Sequence, residues 1–282
     1  LGRRSDAVIV AAASAILIAV AGQAIAVRFD PPLDKPLRVV TESIRTDGGV
    51  TRRFVNARRV VFRRADAQLR AEVTIEGSEP TGPSDDPAAM ARAGFAHIAG
   101  RTIIFRLDPT GQVTAVEDHA AVWQAMLDGF AAQAPDGSDA LDRKRAGRVR
   151  AIVGALAAMP VDRQRETLAS LVEPLIAADA AGGGGPPRPV RVPAASPYGM
   201  AELQGIRVSR MARGRVELSV TAQGDIAVPG SDGAARARVT LETQRVIDPA
   251  TGLVLESHEK VRTLAADGSV AAERTSVSRL ES

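Results

Sequence analysis

The 282-residue chain has no cysteine. This excludes a disulfide framework, thiolate metal sites and a cysteine nucleophile, and also the lipid-modified amino-terminal cysteine of a bacterial lipoprotein. Aromatic residues make up 3%, with Trp123 and Tyr198 the sole representatives of their kinds. Base-stacking platforms and aromatic sugar shelves therefore have little raw material. Lysine is confined to Lys35, Lys144 and Lys260, so the other basic residues are arginines, and asparagine occurs once, at Asn56. With abundant alanine, this is the usage of a GC-rich coding sequence. The 36 basic residues face 33 acidic ones, a formal net charge of +3. So balanced a surface is no electrostatic funnel, and no nucleic-acid partner is expected.

Several reaction motifs are also missing. The sequence has no HExxH, and His97, His119 and His258 are not spaced as metal ligands on one helix or hairpin. It has no GxSxG to present a serine nucleophile. The run Gly182 to Gly185 leads into prolines and lacks the Lys-Ser/Thr of a phosphate loop. Neither "TGPSDDP" nor "PDGSDALD" has the alternating oxygen ligands of a calcium loop, and both suit helix capping, by Ser84 or Asp85 and by Ser138 or Asp139. No cofactor, catalytic residue or metal site is expected.

What is present begins with a compartment signal. Arg3 and Arg4 precede an apolar run from Ala7 to Val20, broken only by Ser14, and Ala24-Ile25-Ala26 follows. Charged, hydrophobic and small residues in that order make residues 1–26 a secretory signal peptide, with cleavage after Ala26. The run is also long enough to serve as an uncleaved amino-terminal anchor. The expected location is periplasmic or secreted, or anchored to the inner membrane if the segment is retained.

Residues 27–282 read as one α+β domain. "AQLRAEVTIEG" alternates Leu69, Ala71, Val73 and Ile75 against polar neighbours, as a strand with one wet face does. "GRVELSVTA" points Val216, Leu218, Val220 and Ala222 inward, and "RARVTLETQ" does the same with Ala237, Val239, Leu241 and Thr243. The period changes in a helical block over residues 117–180, where Val122, Trp123, Met126, Leu127 and Phe130 recur at helical spacing. A short helix is expected over "DDPAAMARAGFAHIA". Residues 181–199, "AGGGGPPRPVRVPAASPYG", read as a glycine and proline linker, with about five strands before the block and five after it.

Two features recur or cluster. "LDPTG" at Leu107 to Gly111 and "IDPATG" at Ile247 to Gly252 sit between apolar runs. Proline fixes the bend, threonine hydrogen-bonds locally and glycine takes the positive-φ position, so Asp108 and Asp248 are turn carboxylates and not paired acids. "TRRFVNARRVVFRR" places Arg52, Arg53, Arg58, Arg59, Arg63 and Arg64 in one long strand, where adjacent arginines point to opposite faces. They are candidates for contact with an anionic surface, or keep an exposed strand soluble.

The succession of "FRLDPTGQVTAVED", the helical segment ending "TLASLVEPLIAA", "PPRPVRVPAASPYG" and "ARARVTLETQRVIDPATGLVLESHEKVRT" resembles uncharacterised bacterial secreted proteins with a LolA- and LppX-like half-barrel. The resemblance implies a curved antiparallel β-sheet with a helical block on its concave face. It further implies a non-enzymatic protein of the periplasm or cell envelope that binds an apolar or lipid-like ligand between sheet and helices. Trp123, Met126 and Phe130 are the bulky groups expected to line such a ligand site. The alternative is an envelope scaffold or assembly protein that meets a partner or an anionic membrane through its arginine-rich strands. The expected partner is a lipid or another envelope component.

Overall fold

A computed structural model describes residues 27–65, 68–81, 97–134, 138–177, 185–229 and 235–281. The expected signal segment and almost all of the short helix expected over 85–99 lie outside them. Eleven strands form one antiparallel sheet: β1 (Pro36–Asp47), β2 (Val50–Ala65), β3 (Gln68–Thr81), β4 (Thr102–Leu107), β5 (Val113–Val116), β6 (Gly185–Ser196), β7 (Gly199–Ala212), β8 (Arg215–Ala227), β9 (Arg236–Ile247), β10 (Val254–Leu264) and β11 (Val270–Glu281). Between β5 and β6 come α1 (His119–Ala131), α2 (Ala140–Ala157), α3 (Val161–Ala169) and a 3-10 turn, Glu173–Leu175. The strand order is β5-β4-β3-β2-β1-β11-β10-β9-β8-β7-β6, so the two chain halves meet where β1 pairs with β11. The fold class is α+β, with an open antiparallel sheet.

Most neighbours are joined by tight hairpins. Asp47 pairs with Val50 across Gly48 and Gly49, both at positive φ, the two-residue turn whose twist matches the strands. Period-two alternation then sets one face inward, as the sequence predicts. Ala71, Val73 and Ile75 of β3 are buried, as are Val60 and Phe62 of β2 and Ile103 and Phe105 of β4. The buried side of the helical segment joins these residues in one cluster through Trp123, Met126, Leu127, Phe130, Val149, Leu168, Val172 and Leu175. Phe62 and Phe105 have no exposed surface, and burial of each stabilises the fold by about 2–3 kcal/mol. Asp139 caps α2 by accepting the Asp142 N–H at 2.7 Å. Asp118 precedes α1 in a left-handed conformation and makes no side-chain cap.

The expected linker is not a linker over most of its length. Residues 185–196 are β6, paired along β7, and Gly199 already begins β7. Proline lacks the ladder donor and is normally excluded from strands. β6 is the last strand of the sheet, however, and an edge strand bonds its neighbour through alternate residues only. Pro189 and Pro193, four apart, fall in the same set. The prolines also leave the outer side of β6 a poor template for another chain.

The carboxy-terminal half buries its inner face without helices. Ala194, Ala201, Leu203, Ala222, Val239, Leu241 and Val261 form a separate cluster, and β6 approaches β10 across the inner face. Glycines permit this curl. A Cβ on Gly205 would lie 2.1 Å from the Thr221 carbonyl oxygen, and one on Gly224 would lie 2.7 Å from that of Glu202.

The two Asp-Pro turns come together on the segment that precedes β1. A Cβ on Gly111 would lie 2.8 Å from the Phe29 ring, and one on Gly252 would lie 2.8 Å from the Arg28 carbonyl oxygen. The Asp30 N–H donates to the Thr251 carbonyl at 3.0 Å, and Phe29 packs edge-on against Phe62 with centroids 5.7 Å apart. Asp108 Oδ1 accepts from the Thr110 N–H at 2.8 Å, the Thr110 hydroxyl at 2.7 Å and the Gln112 N–H at 2.9 Å. Burial pushes this carboxyl up, but those bonds and the Gly111 N–H together hold it below its ordinary value. Asp108→Ala is therefore expected to cost about 1–2 kcal/mol at neutral pH, read by urea unfolding. A depressed folded-state pKa stabilises above the unfolded value, near 4, and is lost as pH falls through the folded one. The gap between wild type and variant should therefore narrow below about pH 4.

Candidate functional site

The inner face changes character where the two chain halves meet. Strand register aligns Asn56, Thr41, Ser278, Ser257 and Arg245 in one row across β2, β1, β11, β10 and β9. The next row holds Phe54, Ser43, Ser276, Glu259 and Thr243. Small hydroxylated residues thus occupy positions that carry Val, Ile, Leu and Phe elsewhere on this face. The Thr41 and Ser278 hydroxyls lie 2.8 Å apart, as do those of Ser43 and Ser276. Such facing pairs bind the two halves of the sheet through their side chains as well as the backbone ladder.

Above these rows lies a cleft of about 760 Å³, a size that holds a drug-sized or lipid-like molecule. Its floor is Thr41, Ser43, Arg58, Arg245, Ser257, Glu259, Arg274, Ser276 and Ser278. Its opposite wall is Gly111 and Gln112 from the first Asp-Pro turn with Ser170, Glu173, Pro174 and Ile176 from the end of the helical segment. Ile176 also bridges to Leu253, and the Ala177 N–H donates to Gly252, so this wall is fastened to the start of β10. Burial, then repulsion from Glu166, raises the Glu173 carboxyl above its ordinary value. Glu259 is held in an ion pair with Arg274.

Arg58 stands apart from the other charges. It is 5% exposed and lines the cleft. Its Nε has no hydrogen-bond partner, and Nη1 reaches only the Thr41 hydroxyl at a long 3.4 Å. Among the described residues no carboxylate pairs with it. Desolvation alone pushes the guanidinium down to about 10, which still leaves it charged at neutral pH.

The structure divides the six arginines of β2 by face. Arg53, Arg59 and Arg63 lie on the outer side and meet carboxylates: Glu42, Glu76 at 3.9 Å, and Asp34 at 2.8 Å with Glu72 at 2.9 Å. Arg52 shares the inner face with Arg58 and pairs in register with Arg45 of β1. Arg64, exposed near the strand end, borders a separate depression with Phe29 and Leu107. Trp123, Met126 and Phe130 are 4%, 1% and 6% exposed within the dry cluster, and none of them lines the cleft. Of the groups that do line it, the sequence singles out Arg58, whereas Thr41, Ser43, Ser276 and Ser278 meet only through strand register. No protein-family model and no curated relative matches the chain.

Among the described residues no cluster of His, Asp and Glu could hold a metal ion, and no helix is long and apolar enough to cross a membrane. His258 lies 2.9 Å from Glu256, at the outer surface. The cleft presents hydroxyls, the cations Arg58, Arg245 and Arg274, and the carboxylates of Glu173 and Glu259.

Proposed function

We propose that the chain is a non-enzymatic binding protein of the bacterial cell envelope. Its sheet is bent into a half-barrel, the helical segment lies on the concave side, and the ligand sits between them. The observation that carries this reading is the 760 Å³ cleft between the sheet and the chain from Ser170 to Ile176. A dry cluster flanks it on each side, one under the helices and one in the curl of β6 to β10. A ligand with a polar part over the hydroxyl rows and an apolar part against either flank fits this alternation, which makes it an amphiphile. The amino-terminal charge and hydrophobicity order of residues 1–26 supports placement outside the cytoplasmic membrane.

Native mass spectrometry of the protein purified from its own envelope tests the reading. The expected spectrum carries an adduct of lipid-like mass, and the adduct disappears when Ser278→Trp fills the floor of the cleft. An adduct-free wild-type protein, or an adduct retained in the variant, would overturn it.

A further inference from the structure

We propose that Arg58 and the hydroxyl pairs beside it form an oxyanion subsite, so that the ligand of the cleft carries a phosphate or carboxylate group. The proposal rests on the cleft being the ligand site and adds the chemical class of what it recognises.

The argument starts from an uncompensated charge. A guanidinium 5% exposed with an unbonded Nε and one long hydroxyl contact has been withdrawn from water and given almost nothing in return. Buried polar groups in folded proteins are nearly always satisfied, and buried charges are paired. Arg53, Arg59 and Arg63 obey that rule through the carboxylates they face. Arg70 and Arg145 also have an Nε without a hydrogen bond, but each lies in an ion pair, with Glu117 and Asp142 respectively. Arg58 is the departure, and its side chain borders a cavity and not a packed core. A guanidinium with unused donors on the lining of a cleft is suited to bidentate recognition of phosphate or carboxylate.

The neighbouring hydroxyls supply what an oxyanion needs next. In each pair, Thr41 with Ser278 and Ser43 with Ser276, one hydroxyl proton is used between the partners at 2.8 Å. The second proton of each pair remains available to donate outward. One such donor stands in the pair that the guanidinium reaches through Thr41, with Arg245 in the same row, and the other stands one row further along the floor. Of the acidic residues bordering the cleft, Glu259 is already engaged by Arg274, and Glu173 is on the opposite wall.

The test uses the purified full chain, titrated by calorimetry at fixed ionic strength with dodecyl phosphate, laurate, inorganic phosphate and the neutral 1-dodecylglycerol. The variants are Arg58→Met, Arg58→Gln and, as an outer-face control, Arg59→Ser. Wild type should bind dodecyl phosphate, and both Arg58 variants should lose about ten- to a hundredfold in affinity, as expected for loss of a charged hydrogen-bond partner. The control should bind as wild type does. If inorganic phosphate binds with the same dependence on Arg58, the subsite takes a free oxyanion; if only the alkyl-chain probes do, it takes a headgroup. Either result supports the subsite. Equal binding of dodecyl phosphate by wild type and both Arg58 variants, or binding of 1-dodecylglycerol alone, would overturn it while leaving the amphiphile cleft standing. Failure of all four probes to bind wild type would overturn both.

Discussion

Gly205→Ala is expected to destabilise the protein by about 3 kcal/mol, near the top of the range for overpacked positions, although it adds a single methyl group. The new Cβ would fall 2.1 Å from the Thr221 carbonyl oxygen, 2.5 Å from the Ala222 Cβ and 2.6 Å from the Ala222 Cα. Two of those three atoms are backbone, so no side chain can rotate away, and relief requires β7 and β8 to move apart. Those strands pair from Gln204 to Ala212, and their separation would loosen the curl that buries Ala194, Leu203, Val239 and Val261. For a domain of this size the loss corresponds to a fall in melting temperature of about 6–12 °C. Gly147→Ala and Gly154→Ala are the matched controls. Both lie in α2 with nothing within 4 Å of the added atom, and each should raise stability by up to about 1 kcal/mol through helix propensity. Differential scanning fluorimetry of the three variants reads the contrast, and a Gly205→Ala protein as stable as wild type would show that β7 and β8 are free to spread.

That contrast also marks how much of the architecture the sequence carries openly. Alternation in β3, β8 and β9 is legible because a half-buried strand repeats every two residues, and every residue assigned inward there is buried except Leu69 and Val220, which are partly buried. The helical spacing of Trp123, Met126 and Phe130 is legible for the same reason. β6 is not, because its local composition of Gly185, Pro186, Pro187, Pro189 and Pro193 contradicts strand propensity, and only its place at the sheet edge makes those residues tolerable. The curl is hidden too, since Gly205 and Gly224 look like ordinary weak points in a strand until their partners are known.

The candidate site was half visible. In "ARRVVFRR" the residues of one parity are Arg58, Val60, Phe62 and Arg64, and those of the other are Ala57, Arg59, Val61 and Arg63. Two large apolar residues share a parity with Arg58, so that set is the better candidate for the inner face, and the structure buries Arg58, Val60 and Phe62 together. What no single strand reveals is that Thr41 meets Ser278 and that Ser43 meets Ser276. Those pairs join residues 237 and 233 positions apart and depend on closure of the two chain halves along β1 and β11. Hydroxyls scattered along separate strands become a surface only through long-range register.

Arg58→Met is expected to make the ligand-free protein more stable by about 1–3 kcal/mol, the reverse of what removal of a structural cation would do. Methionine fills much of the volume of the arginine stem and carries no charge to desolvate. The penalty it removes has a natural scale, since a fall from the ordinary arginine value to about 10 corresponds to roughly 3 kcal/mol of preference for the neutral form. The pH dependence follows from the sign of that shift. A base whose folded pKa is depressed binds fewer protons folded than unfolded only between the two values, so its penalty is fully present below about pH 10 and fades as pH rises towards the unfolded value. The stability advantage of the methionine variant should therefore be constant from pH 6 to 9 and shrink above about pH 10, in urea unfolding curves taken across that range. Loss of stability in Arg58→Met by more than about 1 kcal/mol would mean that Arg58 contributes packing or hydrogen bonds that outweigh its desolvation. A stabilised variant that no longer binds an oxyanion would show the trade expected when a fold keeps a costly charge in place for its ligand.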